Sequence, residues 1–290
     1  MIKHKFRYGT RYNYRLSGLV YYIKTAIRSR KYFIKSFLKN EKLKDEEITA
    51  IMCVWDEQEN IKYAIESSKD FVSKYIVVDK NGETIPEIRI LQQKYNLNID
   101  YYTKPYLNLR ESRLFALNKV DAKWVLILDG DEVLHTDGEY NIINLKKLMV
   151  YPNLIFRTRM NVYLKDKYHT RSIQNSYHVF LFYNNKTTYF VKNRDIPNLK
   201  GRVINLKGIY KHNLYGLKNK KRLYYRQNFW LDYEKSGLQS KFSSIEEYVK
   251  KYKEINVTDE TIDNWYECYT QNILPYDEKL LGYKPKVLRE

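Results

Sequence analysis

A chain of 290 residues that is 43% hydrophobic and 30% charged has the composition of a globular protein and is long enough for one large α/β domain or two smaller ones. Its formal net charge of +18 indicates an anionic partner, such as nucleic acid, anionic lipid or nucleotide phosphates. Its two cysteines exclude a disulfide framework and favour a reducing compartment, and no apolar run reaches the roughly 18 residues that a membrane span requires.

Residues 1–45 form a basic N-terminal arm that lacks the apolar core of a signal peptide. It carries thirteen Lys and Arg residues, and Glu41 is the only acid before Asp45. Apolar residues recur at roughly helical spacing between Leu16 and Leu38, which predicts a basic amphipathic helix. Such a helix suits an anionic membrane surface, which would place the protein in the cytoplasm at the inner face of a membrane. The alternative is a helix that packs on the main domain with a solvated basic face.

Three apolar segments then each run into an acid at their C-terminal ends. The predicted strands are 48–55, 75–79 and 124–128, and the acids are Asp56, Asp79 and Asp129. Helical patterns and a shorter strand lie between these segments, over 61–65, 85–95, 99–102 and 112–120. This alternation predicts an α/β fold with a parallel, doubly wound sheet, whose C-terminal edge would gather the acids. No glycine-rich dinucleotide or P-loop phosphate motif is present.

The third strand ends in Asp129-Gly130-Asp131-Glu132. Asp129 and Asp131 lie on the same side of an extended chain, and Gly130 allows the backbone to bend and a ligand to approach closely. Hard oxygen ligands at this spacing suit Mg²⁺ or Mn²⁺ shared with a phosphate. The alternative is a solvated acidic turn after a core strand, and the convergence of three strand-end acids favours the site.

Four motifs in succession make residues 48–134 resemble the nucleotide-binding half of a family 2 glycosyltransferase with the GT-A fold, a Rossmann-like fold with a mostly parallel central sheet. The motifs are Val54-Trp55-Asp56-Glu57-Gln58-Glu59-Asn60, Val77-Val78-Asp79 with Gly82 and Thr84, Arg113-Leu114-Phe115-Ala116-Leu117, and Leu128-Asp129-Gly130-Asp131-Glu132. Leu114 departs from the usual Asn, and the turn after Asp79 is shorter than in the family. The resemblance implies a hexosyltransferase-type enzyme (EC 2.4) that moves a sugar from a nucleotide-sugar donor, in the first place a UDP-sugar, to a glycan or lipid-linked acceptor with inversion.

The resemblance also implies a role for each matching residue. Val54 and Asp56 would line the base and ribose, and Asp79 would accept a hydrogen bond from the base. Arg113 would lie near the diphosphate, where its guanidinium suits phosphate oxygens. The motif at the end of the third strand would supply the rest: Asp129 and Gly130 at the ribose, and Asp129 and Asp131 at a Mn²⁺ or Mg²⁺ ion.

Within a transferase domain over 46–235, residues 46–135 are the nucleotide-binding half and 136–235 the acceptor half, and 236–290 are a helical extension with helices beginning near Ser243 and Ile262. In the acceptor half, 177–183 is predicted as a strand and 188–191 as its hairpin partner. Asp195 is the candidate base for the acceptor hydroxyl, and its alternative is a loop acid paired with Arg194. His212 matches a histidine that completes the metal site in some family members, and its alternative is an ordinary loop histidine.

A second class of function fits the charge equally well. Basic residues interleaved with tyrosines could track a phosphate backbone and stack bases, as in a nucleic-acid-binding protein. The basic residues are spread over the arm and the C-terminal half, however, and acid clusters at strand ends repel phosphate in the absence of a metal. A transferase that glycosylates nucleic acid or protein stays open as a mixed alternative.

Overall fold

The computed structural model describes residues 27, 30–32, 34, 47–55, 57–104, 109–136, 139–149, 151–164, 166–170, 177–186, 188–190, 197–199, 201–216, 220, 221, 223–225, 257–270, 274 and 275. Asp56, Asp195 and the helix predicted near Ser243 lie outside these ranges. Within them, no helix is both long enough and apolar enough to cross a membrane.

The described elements alternate between strand and helix in the first half and are mainly strands in the second. The helices are α1 (Ile61–Ser68), α2 (Ile85–Tyr95), α3 (Leu109–Asn118), α4 (Glu139–Leu148) and α5 (Asp259–Thr270). The strands are β1 (Ile48–Val54), β2 (Lys74–Asp79), β3 (Ile99–Thr103), β4 (Trp124–Ile127), β5 (Glu132–Thr136), β6 (Leu154–Leu164), β7 (Asp166–Thr170), β8 (Tyr177–Tyr183), β9 (Tyr189–Phe190), β10 (Pro197–Asn198), β11 (Arg202–Gly216) and β12 (Leu274–Pro275).

The first four strands form a parallel unit in the order β4-β1-β2-β3. Their near-continuous apolar sequences are explained by burial on both faces. Alternate residues of β1 enter different cores: Ala50 and Met52 belong to one hydrophobic cluster, and Ile51 to the other. The predicted α/β class and the parallel pairing of the strands in the first half are therefore confirmed.

The second half continues the same sheet but mixes strand directions. β8 lies between β4 and β6 and is antiparallel to both, so it joins the two halves of the fold. β11 is a 15-residue strand that runs parallel to β6 and antiparallel to β5, with irregularities in its pairing with β6. The expectation of a mostly parallel sheet thus applies to the first half and to the β6–β11 pair.

The predicted hairpin partner of 177–183 is wrong. β9, which falls within the predicted segment 188–191, pairs with β10 in a separate two-stranded sheet. The partners of β8 are instead β4 and β6, because Phe180 and Phe182 are completely buried, one in each of the two cores. A strand with two buried faces needs partners inside the main sheet.

The described residues of the N-terminal arm, 27, 30–32 and 34, are helical. Tyr32 is buried, and its ring packs edge-on against Tyr151 with 5.3 Å between centroids. The Arg202 guanidinium lies over the Tyr32 ring and donates a hydrogen bond to its hydroxyl. Tyr151 and Arg202 lie where β6 and β11 begin, and strand directions place this edge opposite to the edge at which β4 ends.

We expect Tyr32→Ala to lower the free energy of unfolding by about 3 kcal/mol, because it removes a buried aromatic ring from a packed position. Ile34→Ala, at an exposed position two residues away, should change it by no more than about 0.5 kcal/mol. Urea unfolding of both variants and the parent measures the difference. Equal midpoints for all three proteins would show that Tyr32 does not anchor the arm.

Candidate active site

The carboxyl ends of β2, β1 and β4 meet in one row. Asp79, the last residue of β2, pairs in register with Val54, the last residue of β1. The register of β1 with β4 pairs Ile51 with Ile127, which brings Gly130 beside Val54. Asp79 and Gly130 therefore lie two strand spacings apart, about 10 Å. The structure brings together three of the residues that the sequence predicted for a nucleotide site.

Gly130 is required by close packing. A Cβ atom at this position would lie 2.8 Å from Cγ1 of Val54 and 3.0 Å from Cβ and Cγ of Glu57. Gly82 and Gly208 are the described glycines with a left-handed φ, so Gly130 does not serve the turn by adopting that conformation. The close contact at Gly130 is therefore made by Val54, at the end of β1, and by Glu57 just after it, which pack against the acidic turn.

Asp79 shapes the turn that follows β2. Its carboxylate is completely buried and accepts the backbone N–H of Asn81 at 3.2 Å and of Thr84 at 2.8 Å. Burial raises the pKa of the Asp79 carboxyl, and the N–H groups of Thr84, Asn81 and Gly82 oppose that rise. The turn is tied to the segment after β1 by Gln58, whose amide donates to the Glu83 carboxylate at 2.9 Å.

Arg113 lies beside Asp129. Helix α3 places its guanidinium, which is buried, against the acid, and Nη2 donates to Oδ1 at 2.8 Å and to Oδ2 at 2.6 Å. The Asp129 side chain keeps 26% of its surface exposed, so the pair is accessible from one side. A positive charge is therefore held beside the first acid of the motif.

Cys53 lies near this ion pair and is a free cysteine. Burial raises the pKa of its thiol to about 12, although the Arg113 guanidinium lowers it. The thiol is therefore protonated at neutral pH and behaves as a small apolar group. A protonated thiol is a poor nucleophile, so we assign Cys53 no catalytic role.

Glu132 and Lys211 form a second, deeper ion pair. Nζ of Lys211 donates to Oε2 of Glu132 at 2.7 Å and to the carbonyl oxygen of Ile127 at 2.7 Å. The same Oε2 accepts the backbone N–H of Asp129 at 3.0 Å, and the N–H of Glu132 donates back to the Asp129 carbonyl. Burial raises the pKa of Glu132, against the pull of the Lys211 ammonium. This pair fixes the acidic turn to the end of β4 and to β11.

Sequence analysis missed the role of this pair. The motif at the end of β4 predicted no role for Glu132, and Lys211 directly precedes His212, the predicted metal ligand. No local signal marked the pair, because a lysine in a strand ordinarily faces solvent. Glu57, also buried, packs on Gly130 and accepts a hydrogen bond from the Asn60 amide at 3.2 Å.

Asp131 and His212 are brought to neighbouring strands. The Asp131 carbonyl accepts the N–H of Leu214 at 2.7 Å, and His212 pairs with Val133 in the β5–β11 register. Because residues alternate between the two faces along a strand, position 212 lies on the same face as position 131. Lys211 lies on the opposite face. Among the described side chains, no group of three or more His, Cys, Asp and Glu residues is arranged to hold a metal ion.

This donor set fits a shared cation and not a closed metal cage. Mg²⁺ typically takes one or two protein carboxylates and completes its shell with phosphate and water. Asp131 lies in the turn as a candidate ligand of this kind, and both oxygens of Asp129 face Arg113. A divalent ion here would need oxygens from a bound diphosphate.

A further cation lies at the same edge. Lys80 directly follows β2, and Trp55 directly follows β1. The ammonium of Lys80 lies 4.5 Å from the centroid of the Trp55 ring. The backbone N–H of Lys80 also donates to the Val54 carbonyl at 3.0 Å. The row of strand ends thus combines acids with the cations Arg113 and Lys80, as a site for a charged ligand requires.

Comparison with known proteins finds similarity only at the level of solved structures. No family model and no curated protein matches the chain. The crystal structure of S. aureus TarS is similar over 65% of this chain and 39% of that one, at 13% identity and a TM-score of 0.42, so the chain spans well under half of the length of that protein. TarS 1–349 is similar over 76% of this chain and 77% of that one, at 13% identity and a TM-score of 0.42. TarS 1–349 in complex with UDP-GlcNAc is similar over 58% of each chain, with the same identity and TM-score. At these values the likeness carries no argument about the substrate of this chain.

Gly130→Ala should lower the free energy of unfolding by about 1–3 kcal/mol, because its Cβ overlaps Val54 and Glu57. In a Val54→Ala background the same change should cost less than it does in the parent, because the nearest clashing atom, Cγ1, is gone. Urea unfolding of the single and double variants measures the difference. A Gly130→Ala protein as stable as the parent would contradict the close packing.

Lys211→Met should lower the free energy of unfolding at pH 7 by about 3–5 kcal/mol, because it leaves Glu132 as an unpaired buried charge. A carboxyl with a raised folded pKa contributes stability that is complete below its unfolded pKa, about 4.3, and is lost as the pH rises through the folded value. Without the ammonium the pKa of Glu132 rises further, so this variant should regain stability as the pH falls from 7 towards about 5.

The control is Lys211→Met combined with Glu132→Gln, which removes the stranded charge. Unfolding curves at pH 7 and at about pH 5 should show less pH dependence for the double variant than for Lys211→Met. If the single variant loses stability on acidification in parallel with the parent, Glu132 is not the stranded group.

Proposed function

We propose that the protein is a glycosyltransferase that takes a nucleotide sugar, with a UDP-sugar as the first candidate, and transfers the sugar to a glycan or lipid-linked acceptor. The observation that carries the proposal is the row formed by Asp79, Val54 and Gly130 at the C-terminal edge of the parallel strands, with Arg113 beside it. Ligands of open α/β sheets bind at this edge. The family 2 resemblance of the same residues supplies the class of chemistry.

In this proposal the two ends of the row take different parts of the donor. Val54 and the turn shaped by Asp79 lie on the base side, where a buried apolar wall and backbone groups suit a planar ring. Arg113 and Asp129 lie on the phosphate and ribose side. Phosphate oxygens can share the guanidinium with Asp129, and the ribose hydroxyls can donate to the exposed part of that carboxylate.

A Mn²⁺ or Mg²⁺ ion would be held by Asp131, with Asp129 and His212 as the other proposed ligands. When bound, such an ion neutralises the charge that develops on the departing nucleoside diphosphate. Arg113 contributes positive charge from a fixed position in the same region. Imidazole as a third ligand would favour Mn²⁺ over Mg²⁺.

The acceptor would be bound by the second half, which β8 joins directly to the strand that carries the acidic turn. Asp195 remains the proposed base for the acceptor hydroxyl and lies outside the described residues. Deprotonation of that hydroxyl would allow its oxygen to attack the anomeric carbon in line with the departing diphosphate, which inverts the configuration. A lipid-linked acceptor would place the enzyme at the inner face of a membrane.

The test is a screen of nucleotide sugars for hydrolysis by the full chain with Mn²⁺ or Mg²⁺. We expect a UDP-sugar to release UDP, chelation to stop the release, and Asp131→Asn to reduce the rate at least about 100-fold, since a metal supplies several kcal/mol of charge stabilisation. The melting temperature of Asp131→Asn is measured in parallel, because Asp131 is buried and a loss of rate must be separated from a loss of fold.

The matched control is Asp121→Asn, which changes an exposed acid just before β4, at the other end of that strand. It should hydrolyse the donor at the parent rate. Activity that persists in chelator, or in Asp131→Asn, would refute the metal assignment alone. Failure of every nucleotide sugar to bind or react would refute the transferase.

A further inference from the structure

The N-terminal arm presents apolar side chains to solvent. Three large hydrophobic residues are exposed in the described part of the chain, and two of them, Ile27 and Ile34, lie in the arm with exposures of 63% and 60%. Arg30 and Lys31 between them are also exposed. Tyr32, in the same stretch, is buried against Tyr151 and Arg202.

Helix geometry separates these residues into two sides. Positions three, four and seven apart share one face of a helix, so Ile27, Arg30, Lys31 and Ile34 lie together. We call this set the isoleucine face. Tyr32 is five residues from Ile27, which turns it about 140° away. The arm is therefore anchored to the domain on one side, and the isoleucine face points outward.

The apolar stripe of the arm is thus not fully used by the fold. Ile27 and Ile34 continue the sequence pattern of Val20 and Ile23, which would ordinarily mark the side that packs on a domain. The two described positions of that stripe are exposed instead, and the described arm residue that is buried, Tyr32, lies outside the stripe. Exposed aliphatic side chains aligned on one helix face indicate an interaction surface.

We propose that the isoleucine face docks on an anionic lipid surface. Ile27 and Ile34 would enter the boundary between headgroups and acyl chains, and Arg30 and Lys31 would extend to the lipid phosphates. The thirteen basic residues of the arm match a surface of negative charge. Nucleic acid would supply phosphates but no apolar layer for the two isoleucines. A second copy of the chain would bring two positively charged arms together.

This surface lies at the sheet edge opposite to the candidate donor site, because Tyr32 is anchored where β6 and β11 begin. Docking therefore leaves the row of strand ends free. The proposal does not depend on the transferase assignment, and lipid binding can be measured without any donor.

The test is co-sedimentation of the full chain with phosphatidylcholine vesicles, with and without phosphatidylglycerol. We expect binding at low salt only when phosphatidylglycerol is present, and release at high salt. The double variant Ile27→Asn with Ile34→Asn should bind about tenfold more weakly, because two apolar side chains no longer enter the lipid. The double variant Arg30→Gln with Lys31→Gln should also bind about tenfold more weakly.

The matched control is Ile90→Asn, which changes the third exposed isoleucine, on helix α2 and 57% exposed. It should bind vesicles as the parent does. All variants should melt at the parent temperature, because the changed side chains are exposed. Absence of parent binding at low salt, or an equal loss in Ile90→Asn, would overturn the proposal. A parent dimer that the isoleucine double variant converts to monomer would also overturn it, because the face would then bind a second copy.

Discussion

The parallel register of β1 with its two neighbours is the constraint on which the candidate site depends. It sets Val54 opposite Asp79 on one side and beside Gly130 on the other, so that three turns meet at one edge. The distance between Val54 and Gly130 leaves no space for a methyl group. The acidic turn is therefore positioned by direct packing against the segment after β1, and its location follows from strand pairing and not from loop conformation.

Charge compensation is the second feature of the site. Asp129, Asp131 and Glu132 lie within four residues, and clustered carboxylates at a buried strand end would repel one another without cations. Two cations from distant parts of the chain compensate this repulsion. Arg113 from α3 faces Asp129, and Lys211 from β11 faces Glu132. Asp131, the remaining acid of the three, lies in the same turn and is the proposed metal ligand.

The two edges of the sheet have different roles in these proposals. The C-terminal edge of the parallel strands carries acids and cations for a charged nucleotide. The opposite edge holds the arm, through Tyr32 packed between Tyr151 and the Arg202 guanidinium. The described arm residues match the alternative of a helix that packs on the domain with a solvated basic face, since Tyr32 is buried and Arg30 and Lys31 are exposed. Docking on a membrane stays a proposal.

The local pattern of the chain determined the first half of the fold. Apolar runs of strand length, separated by helical periodicity, are sufficient to predict β1, β2, β4 and α2 with bounds within one residue of those observed. The acids at the strand ends were equally visible, because parallel strands deliver their C-terminal residues to one edge. The class of the fold and the candidate residues Asp79, Asp129 and Asp131 were therefore accessible without the structure.

Only the tertiary structure decided which distant residues meet. The pairing of β8 with β4 and β6, in place of the predicted hairpin, depends on burial of both its faces, which local alternation does not reveal. Lys211 reaches Glu132 across 79 residues of sequence, and Tyr32 reaches Arg202 across 170. From the sequence alone, a lysine in a strand is expected to face solvent. A tyrosine in an amphipathic arm gives no indication of whether it is buried. Both are buried because their partners become neighbours only when the strands have assembled into the sheet.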